Sequence, residues 1–117
     1  MIKCRRRVIT RRTPPSQAFA SLGKRPDGPL PEGIEAQTRQ VVENLRRVLA
    51  GSASGLDQAV FARVYLTQFE RDYAATNTVY ESYFAPALLP GRTCIGVTAL
   101  ARGSLVEIDL LARKETV

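Results

Sequence analysis

Two residues near the end of the chain have the chemistry to handle a small acid. Arg92 follows Pro90-Gly91 at the head of an extended run. A guanidinium presents a planar fork of N–H donors that meets a carboxylate at two points. Glu107 lies in Leu105-Val106-Glu107-Ile108-Asp109-Leu110-Leu111, where apolar residues alternate with the two carboxylates. A carboxylate on so apolar a strand either faces solvent or lines a polar cavity, where it can orient water and accept a proton. Each residue also has an ordinary reading, Arg92 as a surface strand cap and Glu107 as part of a solvated face. Cys94 shares a strand face with Arg92 by the two-residue period. A small apolar wall is the simpler role for it, because only Arg92 is at hand to activate a thiolate.

Composition narrows the chemistry. The chain of 117 residues has no histidine, which leaves almost no route to a zinc site, a Cys-His pair or a Ser-His-Asp triad. What remains is arginine, carboxylate, hydroxyl, thiol, backbone and water. Cys4 and Cys94, one near each end, read as free thiols. The net charge of +6 is uneven: residues 1–26 hold eight basic side chains and no acid, and the rest has nine basic against eleven acidic. The high charge therefore describes an N-terminal segment and not a domain. No apolar run approaches the roughly 18 residues of a membrane span, and the start lacks a secretory apolar core, so a cytoplasmic protein is expected.

The elements that must position these residues begin after a proline-rich stretch. Residues 1–26 read as a basic, poorly defined segment, with an edge strand conceivable near Val8, and residues 27–117 as one domain. From Gly33 the spacing of Thr38, Val41, Leu45 and Val48 predicts a helix with Glu35–Arg39 and Glu43–Arg47 pairs outside. Gly51 is expected to end it in the left-handed conformation. Leu56 to Thr67 reads as a strand with Val60, Ala62, Val64 and Leu66 on one face and Phe61, Arg63, Tyr65 and Thr67 on the other. Apolar residues on both faces predict that both are covered, the second plausibly by another subunit. Asp72 is the expected N-cap of a second helix reaching Phe84. Two further strands, 92–100 and 105–113, are expected to form a hairpin about Ala101-Arg102-Gly103-Ser104. The sum is an α+β domain with helices on one face of a sheet.

That hairpin has a consequence. It would place Arg92 and Glu107 five residues apart along the ladder, roughly 16 Å, and on opposite faces. A small ligand could then meet both only if they came from neighbouring subunits.

Several of these segments resemble the reactive-intermediate deaminase (RidA, YjgF-type) family. Gly33-Ile34-Glu35-Ala36-Gln37-Thr38-Arg39-Gln40 with Val42-Glu43-Asn44-Leu45 is similar to its first helix. Tyr73, Asn77, Val79-Tyr80 and Tyr83-Phe84 are similar to its second, and Arg92-Thr93-Cys94-Ile95-Gly96-Val97 followed by Glu107 is the most specific match. The resemblance covers about residues 27–113. It implies a chorismate-mutase-like single domain, two helices on one face of a mixed β-sheet, assembled as a homotrimer with sites between subunits. It implies hydrolysis of 2-imino and enamine acids, such as 2-aminoacrylate, 2-iminopropanoate and 2-iminobutanoate, to 2-keto acids and ammonia. Arg92 matches the arginine that holds the substrate carboxylate, Glu107 the glutamate that positions water, and Cys94 and Asn77 the pocket lining. No metal or organic cofactor is implied, and no membrane association. Where the family has tyrosine before Ser-Gln-Ala this chain has Pro15, and the hydrophobic strand that follows is shortened, so the N-terminal strands are expected to be reduced.

Two other functions fit the same residues. One is a trimer that binds small carboxylates through Arg92 without turnover. The other is an RNA-binding or ribonuclease-type protein using the basic segment, disfavoured by its few aromatics and by the absence of histidine. The same segment is Arg-rich like a transit peptide, but Pro14-Pro15 interrupts any amphipathic helix.

Overall fold

Each strand's burial follows from which neighbours it has. The computed structural model describes residues 16–22 (backbone only), 29–52 and 54–113. In chain order these form strand β1 (Ser16–Leu22), helix α1 (Ile34–Ala50), strand β2 (Ala59–Leu66), helix α2 (Phe69–Glu81), strand β3 (Gly91–Gly96) and strand β4 (Val106–Arg113). They make one mixed sheet in the order β1-β4-β2-β3. β4 runs antiparallel to both its neighbours, and β2 and β3 are parallel.

The middle of the sheet is the most apolar part. Val106, Ile108, Leu110 and Ala112 of β4 alternate with half-exposed residues, and in register they meet Leu66, Val64, Ala62 and Ala59 of β2. Val41, Val42, Leu45 and Leu49 of α1 are buried against this face. Fully burying a side chain of this size contributes about 1.5–3 kcal/mol, so this cluster dominates the stability of the domain. Both helices lie on this one face of the mixed sheet, the α+β arrangement expected. Among the described residues no helix is long and apolar enough to cross a membrane.

Several local expectations are corrected. The hairpin between the last two strands does not form. β3 ends at Gly96 and pairs with β2, and the chain then crosses to place β4 on the other side of β2. The turn signals at 101–104 are real, since Arg102 and Gly103 have φ of 60° and 69°, but they bend a crossover. Helix α2 starts at Phe69 after Gln68 and ends at Glu81, short of Phe84. Asp72 is not its N-cap but a buried first-turn carboxylate gripped twice by Arg71, at 2.8 and 2.9 Å, where the helix dipole also favours it. Gly51 ends α1 at φ −67°, in the right-handed region, because the amides of Ser52 and Ser54 both bond the Leu49 carbonyl and satisfy the helix end. On the surface Glu43 pairs with Arg46 at 3.2 Å and not with Arg47. A shift in register between Ala59 and Phe61 turns Val60 outward and puts Ala59 into the core.

β1 lies inside residues 1–26, the stretch expected to be poorly defined. It pairs with β4 over its whole length, from Ser16 opposite Arg113 to Leu22 opposite Glu107. Its local sequence is a weak strand signal. Main-chain bonding to the apolar β4 is a tertiary effect that no local pattern reports. The edge strand considered near Val8, and the eight basic residues of this segment, lie outside the described residues.

Gln37 ties the entry of α1 to the sheet. Its buried amide donates to the Pro31 carbonyl at 3.1 Å and accepts from the Leu105 amide at 2.8 Å. Gln37→Ala strands one buried acceptor and one partly buried donor, so it is expected to destabilise the domain by about 2–4 kcal/mol. Chemical denaturation reads this directly, and a loss below about 0.5 kcal/mol would contradict the assignment.

Candidate active site

Arg92 is positioned by β3 and covered by α2. In register it lies beside Ala62 of β2, and Cys94 lies beside Val64, so both point to the helix-covered face. The glycine before Arg92 allows β3 to close on β2: a Cβ on Gly91 would stand 3.3 Å from the Phe61 ring. Above Arg92, its Cζ is 5.0 Å from the centroid of the Tyr80 ring, within cation–π range. Arg92 Nη1 is buried and has no hydrogen-bond partner among the described residues. Three atoms of α2 share that condition, namely Thr76 Oγ1, Asn77 Oδ1 and the Tyr80 hydroxyl. Buried polar groups are nearly always satisfied, so each of these atoms calls for a partner beyond the described residues.

Cys94 is half-buried against the core. Burial pushes its thiol up, Arg92 pulls it down, and burial is the larger effect. The net effect disfavours an activated thiolate at this position.

Tyr80 shows the same competition. Burial raises its hydroxyl from the ordinary 10.0 to about 12, against the opposing pull of Arg92. A raised folded value means that the native state holds this proton more tightly than the unfolded chain. Its stabilisation is complete below pH 10.0 and is lost as pH climbs through about 12. Tyr80→Phe is accordingly expected to flatten the fall in melting temperature over that alkaline window. An identical alkaline fall in the variant would show that Tyr80 does not contribute to it.

Glu107 occupies the other face. In register it lies between Leu22 of β1 and Tyr65 of β2, and Tyr65 alternates with the buried Val64 and Leu66. Beside it, Asp109 accepts from Arg63 Nε at 2.9 Å and from the Tyr65 hydroxyl at 3.2 Å. Asp109 is thus a held structural carboxylate. Phe61 and Ile95 on the same face are 40% and 44% exposed, an apolar surface interleaved with charge.

One chain therefore brings Arg92, Cys94 and the helix bearing Asn77 together and leaves Glu107 apart. Arg92 is level with Ala62 and Glu107 with Tyr65, three residues further along β2 and two strands away. Strand rise and spacing put their Cα atoms about 14 Å apart. The expected separation onto opposite faces holds, although the path runs through β2 and not through a hairpin. Tyr80 is the residue that sequence reasoning missed. Its signals were its place in the segment similar to the family's second helix and the three-residue step from Asn77, which puts both on one helix face. A hollow of about 570 Å³ elsewhere, at the end of α1, is lined by Glu43, Arg46, Arg47, Leu56, Asp57 and Tyr83 and includes none of these groups.

Comparison with known proteins now bears on the same residues. The family model described as Endoribonuclease L-PSP matches residues 19–114. A RutC family protein of Synechocystis is 39% identical over 79 residues, covering 68% of this chain and 60% of its own length. Protein DfrA of Myxococcus xanthus is 43% identical over 79 residues, covering 68% and 59%. The chain thus spans less than two-thirds of the length of these relatives. Among solved structures, RidA from an Antarctic Psychrobacter superposes with a TM-score of 0.79 at 30% identity, over 84% of this chain and 80% of that one. The yeast protein YEO7 gives 0.80 at 31%, over 86% and 80%.

Proposed function

The chain belongs to the endoribonuclease L-PSP family, the RidA/YjgF-type proteins with a chorismate-mutase-like fold, and from that premise we propose that it hydrolyses small 2-imino acids to 2-keto acids and ammonia. The observation that carries the proposal is Arg92, a buried guanidinium nitrogen with no partner among the described residues, held against the Tyr80 ring of the covering helix. A ligand carboxylate satisfies the fork of Arg92 at two points. Asn77 Oδ1 on that helix, also buried and unsatisfied among the described residues, suits a ligand that brings an N–H donor, as an imine does.

Imine hydrolysis needs little chemical assistance beyond placement. Water adds to C2, its oxygen bonding to carbon as the C=N π pair moves to nitrogen. The carbinolamine then expels ammonia as the carbonyl forms. A carboxylate near C2 accepts the proton of the attacking water and returns it to the departing nitrogen. Glu107 is the candidate for this step. Because Glu107 lies on the face opposite Arg92, the complete site takes Arg92, Cys94 and Asn77 from one copy and Glu107 from the next. The half-exposed apolar residues Phe61 and Ile95 then become part of the contact that a homotrimer makes.

The test is the release of ammonia and 2-oxobutanoate from enzymatically generated 2-iminobutanoate, measured on the sized oligomer. Acceleration over the buffer rate is expected. An oligomer that binds 2-oxobutanoate but leaves the imine decay rate at the buffer value would favour a carboxylate-binding protein without turnover. The family description favours a second reading, cleavage of RNA. With no histidine in the chain, that reading needs another acid–base pair, and RNA breakdown that copurifies with the oligomer would be its signature.

A further inference from the structure

We infer that Tyr80 is the positioning residue that aims Arg92 at the ligand carboxylate, holding the guanidinium by its ring face; this rests on the reading of Arg92 as the carboxylate anchor. Tyr80 is 3% exposed and its ring packs on Phe84, with centroids 4.9 Å apart, so its own orientation is fixed. Arg92 Cζ sits over that ring at 5.0 Å. Attraction to a ring face restrains an arginine without occupying its N–H donors, which lie in the guanidinium plane. A hydrogen-bonded carboxylate in the same position would restrain it equally and consume the fork. Arg92 Nη1 is buried and unsatisfied among the described residues, as expected of a donor reserved for a ligand.

Charge supports the same division of roles. The Tyr80 hydroxyl, held near 12 by burial, remains neutral where a tyrosinate would pair with Arg92 and cancel its charge. The ring therefore restrains the cation and leaves the cation's charge for the ligand. Restraint matters because a free arginine side chain loses rotamer entropy on binding, and a held one has already lost it.

The alternative role of Tyr80 is that of a core aromatic, since it also belongs to the main apolar cluster. Tyr80→Leu and Tyr80→Phe separate the two roles. Calorimetry with 2-oxobutanoate as the probe measures carboxylate affinity without requiring turnover, and steady-state rates on 2-iminobutanoate add the KM-against-kcat split. Tyr80→Leu is expected to weaken 2-oxobutanoate binding and raise KM about tenfold, with kcat within roughly threefold, as loss of a desolvated cation–π contact predicts. Tyr80→Phe, which keeps the ring, is expected to recover most of that loss. In NMR spectra the Arg92 Nε–H resonance should be shifted upfield by the ring in wild type and in Tyr80→Phe.

Undiminished affinity in Tyr80→Leu would overturn the inference, as would an equal loss in both variants, which would assign the effect to the hydroxyl. An absent ring shift in the wild type would overturn it even if Tyr80→Leu did not fold. Wild type that binds 2-oxobutanoate without hydrolysing imine would refute the hydrolysis reading alone, and this test would still stand. Wild type that does not bind 2-oxobutanoate would overturn both.

Discussion

Arg92→Ala is expected to lower kcat/KM on 2-iminobutanoate by roughly 10²- to 10³-fold, because it removes the buried two-point charge contact proposed for the substrate carboxylate. The carboxylate is held in the ground state and in the transition state alike, so most of the loss should fall on KM. Arg92→Lys keeps the charge but not the fork, and an intermediate loss is expected. Stability should move the other way or not at all. The substitution gives up the contact with Tyr80 but also removes a buried nitrogen that has no partner, and these effects are of similar size. Activity lost with the melting temperature kept is the pattern of a binding residue. A structural arginine would lose both together.

Glu107→Gln is the second large expectation. It preserves shape and keeps an oxygen that accepts hydrogen bonds, but it removes the carboxylate that we propose takes a proton from water. General-base catalysis by a positioned side chain contributes typically about 10²–10⁴-fold, so kcat should fall within that range while KM changes little. Asp109, two residues away, has its oxygens bonded to Arg63 and Tyr65. Retention of kcat within about threefold in Glu107→Gln would remove Glu107 from the mechanism.

Much of the scaffold was legible because its signals are local. The apolar steps of α1 give its buried face, and Val106, Ile108 and Leu110 alternate as a strand covered on one side must. Strand order was not legible. Two strands linked by turn residues look like a hairpin, and nothing within 92–113 says that β2 lies between them. A hint lay in their contrast: short β3, bearing Gly91, Thr93 and Gly96, is mostly exposed and suits an edge, whereas the apolar β4 suits the centre. β1 was expected only as a reduced N-terminal strand, and its pairing was not legible for the same reason, since it depends on β4.

The site divides in a similar way. Arg92, Glu107, Cys94 and Asn77 were placed by a family resemblance, because their types and spacing alone admit ordinary readings. Register through β2 supplied the physical content, putting Arg92 with the helix-covered face and Glu107 with the open one. Tyr80 could not be recognised as the partner of Arg92, because an aromatic residue on an amphipathic helix reads as core. Only the packing of α2 over β3 shows its second contact.

The central claim is that two copies of the chain share one hydrolytic site. Arg92→Ala and Glu107→Ala subunits, each inactive alone, should be mixed in equal amounts, allowed to exchange, and the mixed oligomers isolated by differential tagging. In a trimer each mixed oligomer rebuilds one intact site of three, so a random mixture should recover roughly a quarter of wild-type activity. Verified mixed trimers no more active than their parents would contradict a shared site.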